Sequence, residues 1–395
     1  MKIIIRNCNV AELDIPLKYA MKLYNEFAIR HPNAFYLRTR QRGMQNWDGK
    51  IKYITKTGQF KIGLLPSVYK RCIELGIKPI IVDMRQPLPK VSKVVTQIGK
   101  YKLRHEQEKA VKAILSNKLG ETPFQIGVLD YTVNAGKTLI MSALYLSYKK
   151  QLKTLLITND SDWLNQARDE FKQYLPGEDI TFVQGKVLNW SNFTIGMVQS
   201  ISRNMRYYQN ELAKIDMVLI DEADQGGSKQ YQNVITRLFN TRVRIGLSGT
   251  IYMSKLAKDK VKNMNLRCFF GDVIAEFKLK DSIKKGYSTK TIVKTVEGKP
   301  WFGNWESDCM SYNEIYDDSI THNKIAWTMA LDRLKWNLNQ GRYPALVVCK
   351  HIAHCENLCK FFKKKLDNKY NIACVHVNTH TKLRQQIMKD FREGK

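Results

Sequence analysis

The stretch QIGVLDYTVNAGKTLI, Gln125 to Ile140, joins a short apolar run to an apolar helix through Asn134-Ala135-Gly136-Lys137-Thr138. Gln125 to Leu129 has the length of a buried strand, and Leu139, Ile140, Ala143 and Leu144 begin the helix. Such a strand-loop-helix junction suits a phosphate, because backbone N–H groups at a helix N-terminus and a lysine ammonium converge on its oxygens. The spacing predicts that Asn134, Ala135 and Gly136 form the cradle. Lys137 would hold the β and γ phosphates, and the Thr138 hydroxyl would ligate Mg²⁺. Tyr131 stands where the standard pattern begins with Gly. Asn134 tolerates a left-handed backbone better than most residues, which keeps the turn feasible. A Gly-Lys-Thr tripeptide by itself is weak evidence.

A second motif strengthens it. Met217-Val218-Leu219-Ile220 reads as another buried strand and runs straight into Asp221-Glu222-Ala223-Asp224. A carboxylate leaving the end of a neighbouring parallel strand can reach Mg²⁺, here Asp221, while Glu222 can orient an attacking water. An acidic helix start is the plainer reading of the same residues, since the helix dipole favours it too. Further apolar runs at Thr154 to Thr158, Phe193 to Val198 and Val243 to Leu247 complete an alternation with amphipathic helices. That alternation predicts an α/β fold with a doubly wound parallel sheet, which places ligands at the carboxyl ends of its strands. Ser248-Gly249-Thr250 follows one such strand and, with Asp224, would link nucleotide state to bound nucleic acid. Arg104 and Gln107 precede the first helix, where the Gln107 amide could meet an adenine edge.

In their order and spacing these motifs, together with Gln166 and Gln199-Ser200, resemble those of superfamily 2 helicases. The likeness is greatest to phage recombination and branch-migration helicases, through Asn46-Trp47-Asp48-Gly49-Lys50-Ile51, Gly63-Leu64-Leu65, His322-Asn323-Lys324 and Lys350-His351 with His354. The resemblance implies RecA-like lobes, dependence on ATP and Mg²⁺, remodelling of branched or partly single-stranded DNA, and DNA contacts by Gln166 and Gln199. Asp-Glu-Ala-Asp is shared with DEAD-box RNA helicases, but Ser248-Gly249-Thr250 and the segment Asn159 to Gln166 depart from that family. DNA is therefore the expected polymer, with RNA as the other reading. Val133 replaces a Thr that many relatives carry in the loop.

The expected organisation is a small basic α+β DNA-binding domain at 1–85, a linker at 86–99, a RecA-like motor lobe at 100–275 and a partial second lobe at 276–395. In the second lobe, Ala345 to Cys349 and Ala373 to Val377 read as strands. The family's later motifs V and VI find no counterpart, so the chain reads as cut short within that lobe, with hydrolysis open to impairment. In the amino-terminal domain, Phe35 to Arg40 reads as a strand, so that Arg38, Arg40 and Arg42 project from one face. With Trp47, Lys50 and Lys52 they form the expected nucleic-acid surface: cations hold phosphates and aromatic faces stack on unpaired bases. A core position is the other reading of Trp47.

Composition agrees. Among 395 residues, 65 Lys and Arg stand against 36 Asp and Glu, giving +29, and the excess runs along the whole chain. Neutralising a polyanion is the first reading of that excess and a solubilising surface the second. No run of about 18 apolar residues exists to span a membrane. Eight irregularly spaced cysteines without a secretory segment point to a reduced, cytoplasmic setting. Cys355 and Cys359, four apart beside Leu358 and Phe362, suit a helix packed on a core better than a zinc site. A monomer is expected. Two other functions stay open: the translocating subunit of a restriction system, or an ATP- and DNA-binding module without turnover.

Overall fold

The computed structural model describes residues 1–40, 43–91, 93–185, 187–252, 257–293, 295, 311–367 and 369–394. These divide into two compact units, Met1–Lys290 and Thr291–Lys395. Residues 1–85, 86–99 and 100–275 are thus packed together, and the division falls after Lys290, not at 275.

The first unit opens on a four-stranded sheet. Strands β1 (Lys2–Ile5) and β2 (Val10–Asp14) pair antiparallel. Next come β3 (Ala28–Arg30) and β4 (Lys50–Lys52), which form a separate hairpin, then β5 (Gln59–Lys61) and β6 (Ile80–Asp83). The sheet order is β5-β2-β1-β6. Helices Leu17–Glu26 and Leu65–Glu74 lie where apolar spacing predicts them.

The expected strand at Phe35 to Arg40 is instead a helix, Ala34–Arg40. Strand propensity there is overridden because β3 pairs with β4, leaving the segment between them no ladder partner; a helix satisfies its backbone groups locally. Arg38 and Arg40 therefore project from a helical surface, and Arg42 lies outside the described residues.

Two small hairpins follow, β7 (Gln97–Ile98) with β8 (Tyr101–Lys102) and β9 (Lys118–Leu119) with β10 (Thr122–Pro123). Residues 86–99 are no free linker: Leu88, Val91, Val94 and Val95 are half-buried against the motor core, because apolar side chains gain by leaving water.

The motor sheet contains β11 (Ile126–Tyr131), β12 (Thr154–Thr158), β13 (Ile180–Gln184), β14 (Val187–Leu188), β15 (Phe193–Met197), β16 (Met217–Asp221), β17 (Val243–Ser248) and β18 (Val273–Phe277). Their order is β14-β13-β15-β12-β16-β17-β11-β18, and only β14 pairs antiparallel. This is the expected RecA-like doubly wound sheet. Alternation along β16 sends Val218 and Ile220 into one core and Met217 and Leu219 into the other, so both faces are covered.

The first of those cores also contains Ile3, Ile5, Leu13, Leu64 and Val68, which joins the amino-terminal sheet to the motor. Gly63 permits the junction. A Cβ there would lie 2.1 Å from the carbonyl oxygen of Arg267, so only glycine allows this approach. Arg244 on β17 completes it: fully buried, it donates to the carbonyl of Cys8 and to Asn9 Oδ1, each at 2.8 Å.

The second unit is helical where described. Helices Lys324–Asn339 and Ile352–Lys365 bury Leu331, Leu358, Phe362 and Leu366 together, and helix Thr381–Glu393 follows. Asn323 caps the first of these, its side chain accepting from the backbone N–H groups of Ile325 and Ala326 at 3.0 Å each. Residues 345–349 and 373–377 form no strands. Leu346, Val348 and Val377 are exposed, so these apolar runs are not covered as the strands of a packed sheet would be. No helix among the described residues is long and apolar enough to cross a membrane.

Candidate functional site

The phosphate loop leaves β11 and enters helix Lys137–Ser147. Asn134 and Gly136 both take left-handed backbone, with φ of 64° and 72°. Asparagine and glycine adopt that conformation at least cost, which answers the substitution at Asn134. Gly136 also lies against Gln107: a Cβ there would come within 2.4 Å of Nε2.

Lys137 projects toward the end of β16. Its ammonium lies 3.2 Å from Asp221 Oδ1 and 3.5 Å from Glu222 Oε1. Strands β11 and β16 flank β17, so the lysine and the acidic pair meet at the carboxyl edge of one sheet, as predicted. Asp221 is buried, and its Oδ1 accepts no hydrogen bond although the ammonium pairs with it. A buried carboxylate oxygen left over in this way is a hard-oxygen donor of the kind Mg²⁺ prefers. Glu222, itself left-handed at φ 51°, is half-exposed. Burial pushes its carboxyl above the usual range; Lys137 opposes the shift while Asp221 and Asp224 add to it.

Ser248, at the end of β17, donates to Asp224 Oδ1 at 3.0 Å and accepts the backbone N–H of Thr250 at 3.2 Å. A Cβ on Gly249 would meet Thr132 Cα at 3.1 Å, so this turn rests on the start of the phosphate loop. The turn of Ser248 and Gly249 thus adjoins both the acidic motif, through Asp224, and the start of the loop.

Gln107 is buried, and its amide is directed at the loop: Nε2 donates to the Ala135 carbonyl at 2.9 Å, while Oε1 accepts the Arg104 N–H at 2.8 Å. Arg104 donates to the Asn134 carbonyl at 3.1 Å. Gln166, on helix Ser161–Tyr174, donates to Glu170 at 2.8 Å. Gln199 follows β15 and donates to the Asn159 carbonyl at 3.4 Å, which brings it beside the end of β12.

Sequence reading missed three partners here. Lys285 pairs with Glu106 at 2.8 Å, Lys278 pairs with Asp130, and the Arg104 guanidinium stacks on the Tyr287 ring at 4.3 Å. Each joins residues far apart in the chain, and no local pattern signals them.

On the amino-terminal unit, exposed Arg40 stacks on Tyr36 at 4.8 Å. Arg38 and Lys50 are exposed as well. Trp47 is half-buried, donates to the Lys50 carbonyl at 3.0 Å and meets the His31 ring edge-on. Lys52 sits over Tyr24 and pairs with Asp48 at 3.2 Å.

Comparison with known proteins adds to this geometry. Residues 100–253 match the family of Type III restriction enzyme res subunits, and residues 328–395 match the helicase conserved C-terminal domain. The chain is 22% identical to the ATP-dependent DNA helicase uvsW of Enterobacteria phage T4 over 378 residues, which is 88% of this chain and 70% of that protein. A putative ATP-dependent RNA helicase of Acanthamoeba polyphaga mimivirus is 26% identical over 123 residues, 31% of this chain and 23% of its own length. The crystal structure of the UvsW helicase from bacteriophage T4 superimposes with a TM-score of 0.56 at 21% identity, covering 70% of this chain and all of that one.

Proposed function

We propose that the chain is a helicase of superfamily 2, an ATP-driven motor that remodels branched DNA, with Lys137, Asp221 and Glu222 carrying hydrolysis. ATP use and nucleic-acid binding come with the family. The observation that carries the assignment of residues is the 3.2 Å approach of the Lys137 ammonium to Asp221, beside Glu222, at the carboxyl edge of the motor sheet.

In this reading the N–H groups of the Asn134 to Gly136 turn receive phosphate oxygens, and Lys137 neutralises their charge. Thr138 and Asp221 would hold Mg²⁺, which when bound would offset negative charge on the phosphates. Glu222 orients the water and takes its proton. Arg104 and Gln107 hold the loop in shape. The Ser248–Asp224 bond carries the nucleotide state toward Gln166 and Gln199, and Arg38, Arg40, Trp47, Lys50 and Lys52 engage DNA on the amino-terminal unit. The protein works as a monomer.

The match of residues 100–253 to restriction res subunits favours a second reading, the translocating subunit of a restriction system, although it covers only the motor lobe that both functions share. The experiment is ATP hydrolysis and strand separation on a synthetic fork, a Holliday junction and blunt duplex. Branch-dependent turnover with separation supports the proposal. Duplex translocation without separation favours the restriction subunit, and ATP binding without turnover leaves only a binding module.

A further inference from the structure

Arg104 reaches the phosphate loop, but the loop does not hold it alone. Its guanidinium lies over the Tyr287 ring at 4.3 Å, its Nε is 3.3 Å from Glu106 Oε1, and one terminal nitrogen donates to the Asn134 carbonyl at 3.1 Å. Lys285 meets the other oxygen of Glu106 at 2.8 Å. The two residues that grip this corner therefore come from one segment, just past helix Leu279–Lys284, and they seize two residues that lie only two apart. Tyr287 is fixed in its turn: its backbone N–H donates to the Ser282 carbonyl at 2.9 Å, and its ring lies 6.4 Å from that of Phe277. A guanidinium is planar and weakly hydrated, and the face of a tyrosine ring attracts it. An arginine otherwise free to sample many rotamers is thereby held in one, with its charge at the loop that carries Gly136 and Lys137.

We propose that Tyr287 is a positioning residue for nucleotide binding, which acts through Arg104 by keeping its guanidinium on the phosphate loop. The inference rests on the reading that ATP binds at Lys137. Tyr287 touches no reacting atom in this scheme, so its loss changes affinity and leaves the chemical step alone.

The test uses the full chain, with the Kd of a fluorescent ATP analogue and the KM and kcat for ATP as readouts. Tyr287→Ala should raise Kd and KM about three- to tenfold, the range of an exposed to partly desolvated cation–π contact, with kcat changed by less than about twofold. Tyr287→Phe should keep wild-type values, since the ring face and not the hydroxyl holds Arg104. Tyr287→Leu retains an apolar cover for Phe277 without a π face, so it should match Tyr287→Ala while leaving the melting temperature in place. Arg104→Ala should weaken binding, and adding Tyr287→Leu to it should weaken it no further. Unchanged affinity in Tyr287→Leu, or independent losses in the double variant, would overturn the proposal. Nucleotide binding indifferent to Lys137→Ala would instead remove the site on which it rests.

Discussion

The ammonium of Lys137 stands 3.2 Å from the buried carboxylate of Asp221, and among the described residues no hydrogen bond reaches that carboxylate oxygen. The lysine balances a buried negative charge, and in the proposed motor it would also meet phosphate during turnover. Lys137→Ala should lower the rate of ATP hydrolysis by about 10²- to 10³-fold, as loss of a preorganised charge donor does. Asp221→Asn should remove Mg²⁺ dependence together with activity while leaving the fold intact, because the amide keeps the shape and no longer needs a counter-charge. A Lys137→Ala variant with wild-type kcat would sink the site assignment.

Glu222 gives a pH prediction of definite sign. Burial raises its carboxyl above the ordinary value of 4.5. The folded chain therefore holds this proton more tightly than the unfolded chain, and the carboxylate costs stability as pH rises through the folded value. Glu222→Gln should melt at the same temperature as wild type or higher near neutral pH, with the advantage shrinking as pH falls through the raised folded value and gone by about pH 4.5. If Glu222 takes the proton of the attacking water, as proposed, turnover needs the ionised form, so the acid limb of the pH–rate profile should have its midpoint above 4.5 and should be absent from the residual rate of the variant. Calorimetry across pH, paired with a steady-state profile, checks both.

The bond from Ser248 to Asp224 spans the ends of two adjacent strands at 3.0 Å. Removing it costs about 1 kcal/mol in a typical intramolecular case and leaves Lys137, Asp221 and Glu222 where they are. Ser248→Ala should hydrolyse ATP within a few-fold of wild type yet separate fewer base pairs per ATP consumed. Equal loss of both activities would mean that the bond serves hydrolysis itself and not its coupling to DNA.

Legibility followed locality. The phosphate loop and the acidic motif are each continuous in sequence, and each adjoins a strand buried on both faces, so a run of apolar residues marked both place and direction. β13 and β18 escaped because their apolar residues are interrupted by Thr181, Gln184 and Glu276 near the sheet's flanks. Phe35 to Arg40 misled for the opposite reason. Phenylalanine, tyrosine and threonine favour strands only where a partner exists, and the neighbouring hairpin had already used its own. The contacts around Arg104 come from residues about 180 positions downstream in the chain, and only the fold brings them together.

Moving Arg38 and Arg40 from a strand to a helix changes what their loss should do. Both are exposed, and Arg40 covers the face of Tyr36. Each contact with a DNA phosphate adds about one to the slope of log affinity against log salt. Arg38→Ala with Arg40→Ala should flatten that slope by about two and weaken all DNA forms alike, since phosphate contacts carry no sequence information. An unchanged slope in a salt titration of DNA binding would exclude this surface.

Among the described residues Arg244 is buried without a carboxylate partner, and burial pulls its pKa down to about 10. Its hydrogen bonds go to the carbonyls of Cys8 and Phe269 and to the amide of Asn9, so one guanidinium joins β17 to the loop between the first two strands. Arg244→Met retains apolar bulk but leaves those three acceptors unpaired, each at about 1 kcal/mol or more. The variant should therefore lose about 3 kcal/mol and melt several degrees lower. The loss should also be local: amides of β1, β2 and β6 should exchange hydrogen faster than those of β12 and β16, because the amino-terminal sheet loses its anchor before the motor core opens. Uniform acceleration across both sheets would show instead that the two unfold as one body and that the arginine stabilises the whole.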